Sequence, residues 1–546
     1  MAINPILKLD YPDPDVIRVE DTYYMISTTM HFMPGGVILR SYDLIHWEIA
    51  SYVFDAHADT SAARLENGKN IYGQGMWAAS LRYHRGIFYV CFVANDTHKT
   101  YLYRAEQIEG PWTKQYVEGF YHDCSLLFDE DKAYIVYGNT DIYLTELNED
   151  LSAPKEGGFS RLLVSDNRSK VCLGYEGAHL YKINGKYYLF LIHWPNHGTC
   201  RRTEACFVAD SLNGTFIGRD VVDDDLNYFN SGVAQGGIVD TPNGAWYAML
   251  FQDYGALGRI PVLIPVTFQN DFPIFGHLSG RIGKIPKKIR SASTRPSYHY
   301  APLYGGDDFC YSPGEDGRIH LNPFWQWNHI PQNSLWDIDI TLLPDETSSD
   351  MLSPTTFHSA HCYKITSGTL CKNLTQAVNT LTQRLAGSVS SVAVTLNGSF
   401  LKEGDFAGLC ALQGCYAFIG LTRENGNYYL VVHERNRPET SEQKENYNSV
   451  ETAKIPVQSP FARLRLLADF RDRNDSVEFS YQILPKRKSP SELNGGTSEF
   501  QTLGQTHKLY FLLDHFTGCR VGLFLYSTKE TGGSALFAEF SFEVEE

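Results

Sequence analysis

The sequence predicts an all-β protein, a five-bladed β-propeller followed by a β-sandwich. Three observations carry that prediction. A strand-like run, a polar turn and an aromatic anchor recur five times in the first half of the chain. The anchors, Tyr24, Tyr89, Tyr134, Tyr188 and Tyr247, fall 45 to 65 residues apart, the interval of a blade holding about four strands. No long amphipathic helical period interrupts these runs, and the repeat stops near residue 295.

In order, the runs are VIRVEDTYYMIST, LRYHRGIFYVCFV, LLFDEDKAYIVYG, HLYKINGKYYLFLIH and GIVDTPNGAWYAMLF. Their aromatic and β-branched residues suit a pleated, half-buried surface. Tight polar turns such as Glu20-Asp21, Asn184-Gly185 and Asn243-Gly244 fold each run back as a hairpin. Behind them, SYDLIHWE, AEQIEGPWTK and ADSLNGTFIG read as outer hairpins closed by an aromatic. Residues 1–295 are therefore assigned to the five blades. The basic, Ser-rich PKKIRSASTRP reads as a linker. Across 305–546, runs such as FAGLCALQGCYAFIGLT, NYYLVVHE, VEFSYQILP and RVGLFLYS alternate with polar loops at β-sandwich spacing. Two of those loops, RNRPETSEQKENYNS and PKRKSPSELNGGTS, are expected to be mobile.

A chain of 546 residues is too long for one hydrophobic core, so two domains are expected. Its 43% hydrophobic and 13% aromatic content describes an ordered globular protein with surfaces able to stack on flat ligands. The net charge of −16 and the lack of a basic stripe argue against a nucleic-acid partner. No apolar run reaches the roughly 18 residues a membrane span needs. The opening MAINPILKLDYPDPD lacks the basic and apolar regions of a secretory signal. Eleven scattered cysteines without a CxxC suit reduced thiols. The expectation is a cytoplasmic protein, although a secreted one whose signal had been removed would read the same. Nothing excludes a homo-oligomer.

Counting back eleven or twelve residues from each anchor reaches Asp13, Trp77, Asp123, Glu176 and Gln235. Taken singly, each has a plain structural reading: Asp13 as a turn former in Pro-Asp-Pro, Asp123 as an acceptor for backbone donors, Trp77 as core. The shared phase changes that. Inner strands of a propeller line its axis, so residues at one offset converge on one mouth of the channel. Three acids in one desolvated cavity cannot all ionise freely, which lets a general acid and a general base coexist. Trp77 beside paired carboxylates suits a sugar platform. Arg259 reads as a structural ion-pair partner or, functionally, as a fork donating to substrate hydroxyls and lowering a neighbouring acid's pKa. Phe32 and His193 are further candidate substrate contacts, and His179 reads equally well as a satisfied inner-strand histidine. There is no G-x-S-x-G, P-loop or HExxH, and the histidines show no metal-ligand spacing. No cofactor is expected to be required, and room is left for a structural Ca2+ in the channel.

At these residues the sequence resembles glycoside hydrolase family 43, in the two-domain form of its β-xylosidases and α-L-arabinofuranosidases. NPILKLDYPDPDVIRVEDTYYMIST is similar to the family's opening segment, which implies a general base at Asp13. FYHDCSLLFDEDKAYIVYG resembles the segment whose Asp tunes the acid and orients substrate, here Asp123. GYEGAHLYKINGKYYLF resembles the general-acid segment, here Glu176. GQGMWAAS and LGR match the segments bearing the sugar-platform Trp77 and the substrate-contacting Arg259. DDFCYSPGEDGRIHLNPFWQWNH and HFTGCRVGL resemble the family's sandwich, in which a Phe at the place of Phe516 reaches over the pocket. Two departures stand out: Gln235 replaces a frequent His, which puts channel metal or water binding in doubt, and GMWAAS lacks the Pro that usually follows Trp-Ala.

The resemblance implies inversion. That geometry requires a carboxyl separation of roughly 6.5–9.5 Å between base and acid, against about 5.5 Å for retention. β-D-Xylosidase activity on xylo-oligosaccharides leads, with α-L-arabinofuranosidase activity on arabinoxylan fragments second. A non-catalytic carbohydrate-binding propeller is the rival, and it would be marked by loss of an acid.

Overall fold

The computed structural model describes residues 1–279, 282–344, 357–436, 448–484 and 499–545. Nearly all of the two loops expected to be mobile lies outside those residues. The described chain divides into two compact units. One comprises Met1–His57, Gly73–Tyr254 and Gly258–Leu303; the other comprises Ala58–Tyr72, Gly255–Leu257 and Tyr304–Glu546. The sequence boundary at 295–305 carries no sign of the two short segments, 58–72 and 255–257, that join the second unit.

The first unit is a five-bladed propeller, as expected. Its blades are antiparallel four-stranded sheets that begin on the inner strands Asp15–Val19, Met76–His84, Ser125–Asp129, Val171–Ile183 and Val233–Asp240. All five anchor tyrosines lie on second strands, and Tyr24 sits opposite Ile17, Tyr134 opposite Leu127 and Tyr188 opposite Tyr181. The Asn184-Gly185 turn has φ of 49° and 80°, the left-handed pair that an Asn-Gly hairpin supplies at low cost. SYDLIHWE, AEQIEGPWTK and ADSLNGTFIG turn between third and fourth strands. Blade IV is extended by Ile282–Lys284, whose Gly283 pairs parallel to Val222.

Apolar faces of neighbouring blades pack together. Leu102, Cys91 and Tyr89 of blade II meet Leu126 and Ile135 of blade III; Val136 and Leu144 meet Leu180 and Leu189 of blade IV. Truncating such a buried leucine to alanine costs about 2–5 kcal/mol. The ring closes between blades V and I. Arg18 pairs with Asp240 at 2.5 Å, Gly237 N–H donates to Pro14, and Asn4 exchanges side-chain hydrogen bonds with the Leu263 backbone.

The second unit is a sandwich. One sheet runs in the order 450–457, 427–434, 417–424, 405–412, 520–527, 381–384 and 326–328; the other runs 336–344, 357–366, 534–545, 389–397, 461–469, 476–483 and 501–502. The early segments are held inside this unit: Tyr72 stacks on His515 at 4.0 Å, and the Ala256 carbonyl accepts from Gln413 Nε2 and Cys519 N–H. All the cysteines are free thiols, and no helix among the described residues is long and apolar enough to cross a membrane.

Candidate active site

The starts of the inner strands share an unusual backbone. Asp13, Asp123 and Gln235 all lie in the left-handed region, at φ 51°, 45° and 52°. Trp77 and Glu176 sit at β-bulges, where register shifts between Met76 and Ala79 and between Glu176 and His179; Gln235 is the extra residue between Ala234 and Gly236. Bulges re-aim side chains and cluster near functional sites. The offset that the sequence repeats is thus the point where each strand leaves its regular pleat.

Asp13 and Asp123 are both 6% exposed. Asp13 Oδ1 accepts from Arg259 Nη1 at 2.7 Å, and Arg259 is itself buried, with its N–H held by Asp10 Oδ1 at 2.8 Å. Burial pushes the Asp13 carboxyl up to about 6; Arg259 pulls it down, Asp123 pushes it further up, and Arg202 also pulls it down. Burial likewise raises Asp123, with His122 opposing, Glu176 adding to the rise, and Arg259 and the Gly177 N–H opposing. Asp123 thus lies between the other two carboxylates: it raises Asp13, and Glu176 raises it.

Glu176 Oε2 accepts from Asn139 Nδ2 at 2.6 Å and lies 3.5 Å from His122 Nε2. His122 is also 3.8 Å from Asp123 Oδ1. Burial works against charge on that ring, but Asp123 and Glu176 outweigh it and hold His122 up at about 9. The Trp77 ring lies 5.8 Å from His122. His122, Asp123 and Glu176 each offer a ligand atom within 4.8 Å of the others, a spacing that could hold a metal ion.

The fold thus links Asp13, Asp123, Glu176, Arg259 and Trp77 through direct contacts and shared charge. Gln235 lies against Gly177, where an added Cβ would stand 2.6 Å from Gln235 Cδ. His193 is not brought to this cluster. It follows Ile192, which pairs with Glu176, and alternation turns its ring to the opposite face of the blade. There Asp166 and Asp220 take its two nitrogens at 3.1 and 3.0 Å. Phe32 is fully buried beside His31. Phe516 belongs to the second unit, half-buried near Phe511. His179 faces Asp15 at 3.3 Å, deeper along the inner strands.

Sequence reasoning missed His122 as a partner, and missed Asn139 and Arg202 altogether. His122 had a signal, since it immediately precedes Asp123. Asn139 and Arg202 had none, because they arrive from the ends of neighbouring strands. Arg202 stands 5.4 Å from the Phe251 ring, as does Arg259, so that ring has a cation at the same distance from each.

Comparison with known proteins agrees with this architecture. The Glycosyl hydrolases family 43 profile matches residues 2–273, and the Beta xylosidase C-terminal Concanavalin A-like domain profile matches residues 318–543. A β-xylosidase of Formosa agariphila is 27% identical over 97% of this chain and 88% of its own length. A non-reducing end α-L-arabinofuranosidase of Bacteroides ovatus is 26% identical over 61% of this chain and 62% of its own. The solved structure of a bifunctional GH43-CE protein of Bacteroides eggerthii superposes with a TM-score of 0.83 at 37% identity; it covers all of this chain, which spans 64% of that one. These matches define a glycoside hydrolase built on a propeller and a sandwich. The chain belongs to glycosyl hydrolases family 43.

Proposed function

We propose that the chain is an inverting exo-glycosidase that releases xylose from the non-reducing end of xylo-oligosaccharides and also accepts α-L-arabinofuranosides. One observation carries the reading: Arg259 Nη1 pairs with the buried Asp13 carboxyl at 2.7 Å while the charge on Asp123 pushes that carboxyl up, and Glu176 in turn pushes Asp123 up. An Asp13 carboxylate raised to about 6 is ionised at neutral pH yet basic enough to take a proton from water. That water attacks the anomeric carbon as Glu176 gives its proton to the leaving oxygen. Asn139 and His122 face Oε2 of Glu176, which leaves Oε1 to carry the transferable proton. Asp123 and His122 form the charged floor that orients both groups, and Trp77 offers the sugar its ring.

The β-xylosidase and non-reducing-end arabinofuranosidase names among the relatives support exo attack and both sugars. No cofactor is needed for these steps. Asp15, a buried carboxylate of the inner strands, already holds the Arg82 guanidinium at 2.5 Å and the Leu81 N–H at 2.8 Å, so a structural Ca2+ in the channel would draw on other oxygens. The test is release of 4-nitrophenol from the β-D-xyloside and the α-L-arabinofuranoside, with proton NMR of the first anomer formed. Activity on either with an inverted anomer is expected, and Glu176→Gln is expected to lower it about 10²–10⁴-fold. A retained anomer, or an unaffected variant, would overturn the assignment.

A further inference from the structure

Glu204 occupies the register row of Glu176 in blade IV: Glu176 pairs with Ile192, and Ile192 with Glu204. Directly opposed residues of an antiparallel sheet share a face, so Glu204 stands behind Glu176 on the side packed against blade V, where Ile192 clusters with Ala234 and Phe251. It is 1% exposed, and burial pushes its carboxyl up to about 8. A buried carboxyl group in a strand is a costly residue unless it satisfies something. The backbone N–H of Gln235 donates to its Oε2 at 2.7 Å.

What that bond holds lies one contact from the reaction. Gln235 is the extra residue of its bulge at φ 52°, and a non-glycine residue in that region persists only where its surroundings fix it. Its side-chain amide rests on Gly177, leaving no space for a Cβ there. Gly177 follows Glu176, and its backbone N–H opposes the rise of the Asp123 carboxyl.

We propose that Glu204 is a positioning residue for the two acids: by accepting the Gln235 N–H it fixes the bulge that seats Gly177, and so the orientation of Asp123 and Glu176. The proposal rests on the hydrolase reading for its rate effect and on the fold alone for its geometric effect. It is tested in the full chain with Glu204→Gln, which keeps a neutral acceptor, and Glu204→Ala, which removes it. Glu204→Leu, which fills the volume without an acceptor, replaces the alanine variant if that variant does not fold. Loss of the acceptor is expected to lower kcat roughly 10- to 100-fold with KM changed less than about threefold, because Glu204 does not touch substrate. Glu204→Gln is expected to restore kcat to within about threefold of wild type. Hydrogen exchange of the peptides bearing Gln235 and Gly177 is expected to speed up in the acceptor-free variant only. Unchanged kcat alongside a lowered Tm, or equal loss in the Gln variant, overturns the proposal. If the wild-type chain turns over neither glycoside, the hydrolase reading falls, and the exchange rates still decide the role of Glu204.

Discussion

Asp13 and Asp15 stand two residues apart at the head of one inner strand, both buried, and their surroundings drive them in opposite directions. Burial pushes Asp13 up to about 6, and the pull of Arg259 does not cancel it because Asp123 pushes the same way as burial. Asp15 meets the same burial penalty, yet Arg82, His179 and the Leu81 N–H outweigh it and hold the carboxyl at about 2. Donor supply separates the two acids, not depth. At the mouth, the Arg259 charge is shared between Asp13 and Asp123. Below it, one carboxylate has a guanidinium at 2.5 Å, a backbone N–H at 2.8 Å, an imidazole at 3.3 Å and a phenol at 3.4 Å. The first arrangement leaves a basic group; the second ties three blades together and leaves an inert one.

Removing Asp13 should break the comparison most visibly. Asp13→Asn is expected to lower kcat about 10²–10⁴-fold in the nitrophenyl assays, and at the same time to raise Tm at pH 7. The folded pKa of Asp13 is raised, so its contribution to stability is complete below the unfolded value of 3.8 and is lost as pH rises through about 6. Neutralising it recovers at most about 3 kcal/mol at pH 7. A variant that melted lower than wild type there would make Asp13 a structural acid like its neighbour.

At Asp15 the sign reverses. A lowered folded pKa contributes stability above the unfolded value of 3.8 that is lost as pH falls through about 2. Asp15→Asn leaves Arg82 as a buried cation without its counter-charge, which costs about 3–5 kcal/mol. Thermal melts at pH 7 should therefore move in opposite directions for Asp13→Asn and Asp15→Asn, and equal shifts would erase the distinction.

The pH profile sharpens the same contrast. With Asp13 as the base, kcat/KM should fall about tenfold per unit below about pH 6. Arg259→Gln removes the largest force lowering that carboxyl, so the acid limb should move to higher pH in a profile of kcat/KM. A limb that stayed in place or moved lower would detach it from Asp13.

Much of this was legible in the sequence, and the remainder has a physical reason for its silence. The phase of Asp13, Trp77, Asp123, Glu176 and Gln235 against five tyrosines was readable because each repeat is one blade, and equivalent positions in blades meet at one mouth. Asp15 could not be told from Asp13, since its partners Arg82 and His179 come from blades II and IV and depend on register across the channel. Asn139 ends the second strand of blade III and reaches Glu176 of blade IV, a contact no single repeat encodes. His193 misled because its neighbour Ile192, not itself, shares the row of Glu176. The membership of 58–72 and 255–257 in the second unit was invisible for a similar reason: local composition does not say which core a segment joins.

The smallest expected effect tests whether the lower site behaves as a sum of donors. Tyr181 donates its hydroxyl to Asp15 Oδ1 at 3.4 Å, the longest of the four contacts, and the Tyr181 hydroxyl oxygen accepts the Ile238 N–H at 3.2 Å. Tyr181→Phe removes the weakest donor to the carboxylate and orphans one backbone N–H of blade V, a loss of roughly 1–2 kcal/mol. The guanidinium of Arg82 lies 5.1 Å over the same ring, and phenylalanine keeps that contact. Tm should therefore fall by a small fraction of the Asp15→Asn shift, with kcat preserved because the mouth is untouched. A loss as large as that of Asp15→Asn would mean that the phenol, and not the guanidinium, holds the carboxylate in its charged form, and the account of why Asp13 and Asp15 differ would have to be rebuilt around Tyr181.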